Sequence, residues 1–132
     1  MGKIAVIANP LAGEKLTKKL LKVVTKTAKD KLLRRGVKEV VKSIRTGKKG
    51  LCIIAGDISP IDVVSHIPVF CEENEIPYVY VPSKAELGAA SATKRPTSCT
   101  LVLPPPEDAA HQKLRAKYEK LVAHVKTMTP SL

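Results

Sequence analysis

The hydrophobic positions of this chain follow two alternating patterns, one with the period of an α-helix and one of short continuous apolar runs. Apolar side chains at Leu16, Leu20, Val23, Val24 and Ala28 fall on one face of a helix, which we expect to begin at Leu16. The later elements predicted in this way are an extended piece over 32–36, a helix over 37–45, a strand over 51–55, a helix from 59, a strand over 76–81, a short helix from 83 to about 88, a strand over 99–103 and a helix over 114–125. Helices and strands are therefore predicted to alternate along the whole chain.

The run Leu51-Cys52-Ile53-Ile54-Ala55 has no charged or amide side chain, which is typical of a strand covered on both faces. Such strands alternating with amphipathic helices predict the α/β class, here a three-layer α/β/α sandwich with a four-stranded mixed sheet. A length of 132 residues suits a single domain, which we place over 14–128. Residues 1–13 are apolar but interrupted by Asn9-Pro10, and we interpret them as an N-terminal arm.

The formal net charge of +11 is unevenly distributed. Residues 1–50 contain 15 lysines and arginines and three acids, whereas 51–83 contain five acids and no lysine or arginine. Five lysines form a stripe on the first predicted helix, at Lys15, Lys19, Lys22, Lys26 and Lys29. The stripe is either a solvated face or a contact surface. The asymmetry favours a polyanionic partner such as nucleic acid, with a membrane surface or an acidic protein as alternatives.

No apolar run approaches the roughly 18 residues that cross a bilayer, so we expect no membrane span. The three cysteines, Cys52, Cys71 and Cys99, are widely spaced and form no Cys-x-x-Cys pair. This spacing argues against a zinc ribbon and a disulfide framework. We expect free thiols that pack as small hydrophobic groups, in a reducing compartment.

The sequence offers little support for catalysis. Asp57 follows a predicted strand, where α/β enzymes often place a carboxylate, but capping or turn formation explains it more simply. His66 has no second ligand or nucleophile close to it in the sequence. Neither of the two common glycine-rich phosphate-binding motifs is present. We therefore expect a protein that is not an enzyme, with no catalytic residue, cofactor or metal site.

The few aromatic residues also limit the type of nucleic-acid binding. Proteins that stack single-stranded bases on a sheet need exposed aromatic side chains at spaced strand positions. Tyr78 and Tyr80 form the one alternating pair, and they lie in the acidic third of the chain. Recognition is therefore expected to use basic helix termini and RNA shape. Small residues over 87–92 allow either close approach to another surface or close core packing.

The segment 34–42, Arg-Arg-Gly-Val-Lys-Glu-Val-Val-Lys, resembles the second-helix motif of the kink-turn RNA-binding ribosomal-protein family, the L-seven-Ae group. Further blocks match in the family's order, at 51–57, 66–68, 71–73, 76–84, 86–90 and 94–96. The resemblance covers roughly 15–104, most of the chain. Within the family, the chain looks closest to the core subunits of H/ACA small nucleolar ribonucleoproteins.

This resemblance implies an α/β/α sandwich that binds the kinked, G·A-paired region of an RNA. Arg35 and Gly36 would lie at the start of the second helix, where Gly36 permits close approach to RNA. Glu39 would accept hydrogen bonds from a guanine edge, and Lys42 would contact a guanine or the adjoining phosphate. A helix N-terminus offers free N–H groups to phosphate, so the physical chemistry agrees with these roles.

The remaining residues of the implied RNA-binding set lie in the last third of the family match. Leu87-Gly88-Ala89-Ala90 would form a loop that packs on an extruded base. Basic contacts are implied at Lys84, Lys94 and Arg95.

Lys38 departs from the pattern of kink-turn specialists, which carry asparagine before the glutamate. A lysine cannot offer the paired donor and acceptor of an amide, but it adds a phosphate contact. The H/ACA subgroup shares this basic variant. We therefore predict weaker kink-turn specificity, greater dependence on charge and shape, and targeting by partner proteins.

The implied function is that of a non-catalytic RNA-binding subunit of H/ACA particles, which guide pseudouridylation of ribosomal and other RNAs. The implied partners are an H/ACA guide RNA, a pseudouridine synthase, and Nop-ten-like and Gar-one-like subunits, in the nucleus and nucleolus. The acid-rich segment 51–83 is the expected protein-docking face. The alternatives are a ribosomal or box C/D-type kink-turn binder, and an interaction module whose basic surface serves solubility alone.

Overall fold

A computed structural model describes residues 13–56, 67–91 and 98–128 of the chain. Five helices and four strands alternate in these ranges. One 3-10 turn, Ala109–His111, lies between the last of these strands and the last of these helices. The helices are α1 (Glu14–Lys29), α2 (Val37–Arg45), α3 (Ile67–Glu73), α4 (Lys84–Ala90) and α5 (Gln112–Met128). The strands are β1 (Leu33–Arg35), β2 (Leu51–Ala55), β3 (Tyr78–Val81) and β4 (Cys99–Val102).

The four strands form one mixed sheet in the order β1-β4-β2-β3. The last of the described strands, β4, lies inside the sheet and pairs antiparallel with both β1 and β2. The strands β2 and β3 are parallel, with Cys52 opposite Tyr78 and Ala55 opposite Val81. The sheet therefore brings the start of α2, directly after β1, next to the start of β4.

Alternate side chains of each strand enter two different cores. Leu51, Ile53 and Ala55 of β2 pack with apolar residues of α1, α4 and α5. Cys52 and Ile54, on the other face, pack with apolar residues of α2 and α3. Every residue of β2 is buried, because helices cover both faces of the sheet. The predicted three-layer α/β/α sandwich with a four-stranded mixed sheet is confirmed.

Most strand and helix bounds lie within about three residues of the sequence prediction. The helix predicted from 59 is described only from Ile67, as α3, and α5 spans Gln112–Met128 instead of 114–125. The helix α1 begins at Glu14 instead of Leu16, since Gly13 serves as its N-cap. The strand β3 begins at Tyr78 instead of Ile76, because the N–H of Ile76 donates to the carbonyl of Cys71 and closes the end of α3. The strand β4 ends at Val102 instead of Leu103.

Several predictions fall on residues outside the described ranges. They are residues 1–12 of the N-terminal arm predicted over 1–13, the helix start at Ser59, and the candidate residues Asp57 and His66. The domain bounds at 14 and 128 stay a prediction. Among the described helices, none has the length and hydropathy needed to span a bilayer.

Candidate nucleic-acid interface

The junction between β1 and α2 depends on the backbone of Gly36. This residue has φ 86° and ψ 156°, a conformation that is essentially restricted to glycine. Its N–H donates to the carbonyl of Cys99 at 2.9 Å, which fixes the start of α2 against β4. A Cβ added at Gly36 would meet no described atom within 4 Å. The glycine is therefore needed for its conformation, and no described atom occupies the space on its outer side.

The first turn of α2 lies at this open surface. Among the described residues, no side chain caps the helix N-terminus, because Gly36 occupies the N-cap position. The N–H groups of this turn are available to an acceptor such as a phosphate oxygen. Lys38, Glu39 and Lys42 are all exposed on the helix. The structure therefore gathers four of the predicted site residues, Gly36 included, on one short helix.

A shallow groove of about 400 Å³ runs along the same helix. Its lining consists of Val37, Lys38, Val41, Lys42, Arg45 and Thr46. Val37 and Val41 pack against the core on the α2 side of the sheet but are only half-buried. The exposed Arg45 was also missed, although its position on the ridge of Lys38 and Lys42 could have identified it. The groove offers apolar surface for a base or sugar beside basic groups for phosphate.

Arg35 connects this helix start to the end of α4. Its Nη1 donates to the carbonyl oxygen of Ser91 at 2.7 Å. Ser91 is buried and ends α4, where its hydroxyl donates to the carbonyl of Leu87 at 2.8 Å. The rest of the Arg35 side chain is exposed. Sequence reasoning missed Ser91, because the two residues are distant in the chain and no local pattern links them.

The prediction that Leu87-Gly88-Ala89-Ala90 forms a loop is wrong, because these residues are the last four of α4. The hydroxyl of Ser83 accepts a hydrogen bond from the N–H of Glu86 at 3.2 Å and so caps the start of α4. The alanines favour continuation of the helix past Gly88.

The four residues predicted to contact an extruded base differ in their burial. Leu87 and Gly88 are buried, and Leu87 belongs to the core beneath α1 and α5. Ala89 is exposed and Ala90 is half-buried. The accessible surface at this end of α4 is therefore formed by Ala89 and Ala90, while Leu87 anchors the helix in the core.

The other three predicted contacts have different placements. Lys84 is the first residue of α4 and is half-buried, at the opposite end of the helix from Ser91. Lys94 and Arg95 lie outside the described residues. Arg35, Gly36 and the end of α4 are thus brought together, and Lys84 lies about two helical turns from that junction.

The cysteine side chains lie in the core between the sheet, α2 and α3. All three are free and buried, as predicted. A hydrogen bond with Cys71, followed by burial, raises the pKa of Cys52, and burial raises the pKa of Cys99 to about 12. Protonated thiols are poor nucleophiles and poor metal ligands. No cluster of three potential metal-ligating side chains occurs within 13–56, 67–91 and 98–128.

The protein is thus an α/β/α sandwich with an uncapped, basic helix start at its surface. The sequence pattern of the Ribosomal protein L7Ae/L30e/S12e/Gadd45 family matches residues 18–113. The chain therefore belongs to that family, and the resemblance noted from the sequence is confirmed.

Among its relatives, an Arabidopsis thaliana protein named "H/ACA ribonucleoprotein complex subunit 2-like protein" is 54% identical over 136 residues, covering 98% of this chain and 86% of the relative. The "H/ACA ribonucleoprotein complex subunit 2" of Bos taurus is 45% identical, covering 96% of this chain and 78% of its own. The Schizosaccharomyces pombe "H/ACA ribonucleoprotein complex subunit nhp2" is 52% identical, and the match covers 74% of this chain and 66% of the relative. These names agree with the expectation that the chain is not an enzyme.

A solved structure, the "Giardia lamblia 15.5kD RNA binding protein", has the same fold. It superposes with a TM-score of 0.82 at 34% sequence identity, and the match covers 95% of this chain and 99% of the Giardia chain. The similarity therefore extends over the sheet and both helical layers.

Proposed function

We propose that this chain is a non-catalytic RNA-binding core subunit of H/ACA ribonucleoprotein particles, which guide pseudouridylation of ribosomal and other RNAs. The observation that carries the proposal is the start of α2, where Gly36 leaves the helix N-terminus open beside exposed lysines. The names of the relatives support the assignment to this particle. The ligand is then an H/ACA guide RNA.

The chemistry of each side chain suits a different part of an RNA. The first N–H groups of α2 and the side chains of Lys38 and Lys42 suit phosphate oxygens. The carboxylate of Glu39 is a hydrogen-bond acceptor, which suits the N–H donors of a guanine edge. The exposed Ala89 and the half-buried Ala90 provide a flat apolar surface against which an unstacked base can pack. Contacts by Lys84, Lys94 and Arg95 remain part of the proposal.

The proposal includes the partners and location of such a particle: a pseudouridine synthase, Nop-ten-like and Gar-one-like subunits, and the nucleus with its nucleolus. Catalysis then belongs to the synthase. The acid-rich segment 51–83 is the proposed protein-docking face.

Within this segment, Glu72 accepts a 2.7 Å hydrogen bond from the hydroxyl of Tyr78, whereas Glu73 and Glu75 are exposed. Charge reversal at Glu73 and Glu75 therefore tests docking without breaking that bond. Assembly with the partner subunits that survives this double change would argue against the docking face.

A salt titration tests RNA binding itself. The wild-type chain is titrated with an H/ACA hairpin RNA beside the double variant Lys38→Glu and Lys42→Glu. A matched variant, Lys26→Glu and Lys126→Glu, makes the same charge change at exposed positions of α1 and α5. Each lost phosphate contact should reduce the slope of log K against log salt by about 0.7 to 0.9.

We expect the α2 variant to lose affinity and slope, and the matched variant to keep most of both. A wild-type chain with no measurable salt slope would favour the rival interpretation, a basic surface that serves solubility. Equal losses in both variants would place RNA binding away from α2.

The second candidate is a ribosomal or box C/D-type kink-turn binder, which is supported by the similarity to the Giardia RNA-binding protein. Such a protein should bind an isolated kink-turn RNA tightly without any partner. Affinity for a kink-turn RNA that exceeds affinity for an H/ACA hairpin by about a hundredfold, or about 2.8 kcal/mol, would favour this candidate.

A further inference from the structure

A second basic surface lies between α1 and α5, on the helical layer opposite α2 and α3. It is a groove of about 600 Å³ whose lining includes no acidic residue and no residue of α2 or α4. Five lysines line it, namely Lys15, Lys19, Lys22, Lys117 and Lys120. All five are exposed, and none forms an ion pair with a described carboxylate. The RNA surface on α2 does not account for this groove.

Between the lysines the lining consists of apolar residues and His124. Leu16 and Val23 of α1 and Leu121 of α5 belong to it, and Leu16 is only half-buried. These residues pack onto the core beneath the sheet, so the groove has a rigid apolar base. An apolar depression rimmed by charge is characteristic of a protein-binding site. A solvated lysine face would not require such a base.

We propose that the groove between α1 and α5 binds an acidic amphipathic helix of a partner protein. The apolar face of that helix packs on the half-buried Leu16 and on the small part of Leu121, 5%, that is exposed. Its glutamates or aspartates pair with the lysines on both rims. Lys15 and Lys22 are seven residues apart, or about 10 Å along α1, which matches about two turns of a bound helix. Charge complementarity commits the site to an acidic partner.

The shape and composition of the groove favour a helical peptide over RNA. RNA duplexes present convex, charged backbones, which bind to basic surfaces without needing a recessed apolar base. A helix places leucines at every third or fourth position in a recess and leaves acidic side chains at its flanks. The site is separate from the proposed RNA surface, so both can be occupied in one particle.

The test uses the full chain and a fluorescein-labelled peptide of about 20 residues, long enough to form a helix. Its leucines lie on one helical face and its glutamates on the flanks. A scrambled peptide of identical composition, which has no continuous apolar face, is the control. The groove variant combines Lys19→Glu with Lys120→Glu. The matched control is again Lys26→Glu with Lys126→Glu, on the same helices but outside the groove lining. Melting temperatures establish that both variants fold.

We expect the patterned peptide to bind the wild-type chain at least about fivefold more tightly than the scrambled one. The groove variant should lose about tenfold or more in peptide affinity, and the matched control less than about threefold. The affinity of the groove variant for an H/ACA hairpin RNA should stay close to that of the matched control. Failure of this proposal therefore leaves the RNA-binding proposal intact.

Three outcomes would overturn the inference. Equal binding of the two peptides would show that composition alone is recognised. Equal losses in the two variants would show a response to net charge instead of a site. A loss of RNA affinity in the groove variant as large as its loss of peptide affinity would assign the groove to RNA.

Discussion

The guanidinium of Arg35 donates to the carbonyl oxygen of Ser91 at 2.7 Å, joining the start of α2 to the end of α4. The neighbouring Arg34 instead donates to the nearby carbonyls of Lys31 and Leu33. Arg35 thus has two roles: it holds two parts of the candidate RNA surface together, and it adds positive charge there.

We predict that Arg35→Met lowers affinity for an H/ACA hairpin RNA by about tenfold, or about 1.4 kcal/mol. The methionine keeps an apolar stem but leaves the carbonyl of Ser91 without its donor. Arg34→Met removes the same charge without affecting that link and should cost less than about threefold. Fluorescence anisotropy at one fixed salt concentration measures both. Equal losses would mean that the charge alone matters.

Gly36→Ala should lower both stability and RNA affinity. A side chain in this conformation costs about 1 to 3 kcal/mol, and the new methyl group occupies the side of the junction that we propose faces RNA. Gly47 also has positive φ, 91°, but lies beyond the other end of α2. Gly47→Ala is therefore a matched control for the conformational cost. Urea unfolding and RNA titration together should show that only the change at Gly36 impairs binding. Unchanged affinity in a folded Gly36→Ala variant would place the RNA elsewhere.

Because Lys38 stands where kink-turn specialists carry asparagine, we predict that the protein discriminates only weakly between kink-turn and other RNAs. Replacing the tandem G·A pairs of a kink-turn RNA should reduce wild-type affinity by less than about fivefold, since charge supplies much of the binding energy. Lys38→Asn restores an amide with both donor and acceptor, and should increase the discrimination while weakening overall binding. Electrophoretic mobility shifts with the two RNAs measure the ratio. Collapse of wild-type binding on loss of the G·A pairs would contradict the prediction.

Tyr78 and Tyr80 lie on the same face of β3, with ring centroids 6.5 Å apart in an edge-to-face arrangement. The hydroxyl of Tyr78 donates to Glu72, whereas that of Tyr80 is buried without a hydrogen-bond partner in the described part of the chain. Burial raises the pKa of Tyr80 to about 12, so this hydroxyl stays neutral.

Tyr78→Phe should therefore destabilise the fold by about 1.5 kcal/mol, because it removes a hydrogen bond to a carboxylate. Tyr80→Phe removes a hydroxyl that gains nothing from burial, and should be neutral or stabilising by up to about 1 kcal/mol. Urea denaturation of the two variants measures the difference. The reverse order of stabilities would refute this assignment.

His111 lies directly before α5 and links the start of that helix to the end of α1. Its Nδ1 lies 2.7 Å from Asp108, and its Nε2 lies 3.4 Å from Asp30 at the end of α1. The hydrogen bond and charge of Asp108, with the charge of Asp30, raise the pKa of His111 above its ordinary value of 6.5. The hydrogen bond with His111 lowers the pKa of Asp108 below 3.8.

Because the pKa of His111 is higher in the folded state, its contribution to stability is complete below about pH 6.5 and is lost as the pH rises through the folded-state value. The contribution of Asp108 has the opposite dependence and is lost on acidification below pH 3.8. His111→Gln should therefore lower the melting temperature more at about pH 5.5 than at about pH 8.5. His124→Gln, at an exposed position of α5, is the control. An equal effect of His111→Gln at both pH values would exclude this ion pair.

The sequence pattern predicted α2 and β2 to the residue because local chemistry defines their ends. Gly36 and Gly47 bracket α2, and a run without charged side chains defines β2. The end of α4 was misjudged because Gly88 was interpreted as a stop. Its neighbours favour a helix, and the end is set at Ser91 by hydrogen bonds to Leu87.

Contacts between distant segments could not be predicted in this way. The lysine stripe of α1 was visible in the sequence, but only the fold places Lys117 and Lys120 across from it to form a groove. The link between Arg35 and Ser91 likewise depends on the approach of α4 to the end of β1. Sequence periodicity identifies which face of an element is polar, whereas the neighbouring element decides whether that face is a site.

The interior position of β4 has a consequence for the order in which the chain matures. The strand β1 pairs only with β4 among the described strands, and the N–H of Gly36 donates to Cys99. During synthesis the Arg-Gly junction therefore has no sheet to attach to until residues near 100 have emerged and inserted between β1 and β2. A nascent chain that has made all of α2 still lacks the geometry to hold RNA there. At the RNA site that we propose, the start of α2 is therefore positioned only after β4 has joined the sheet.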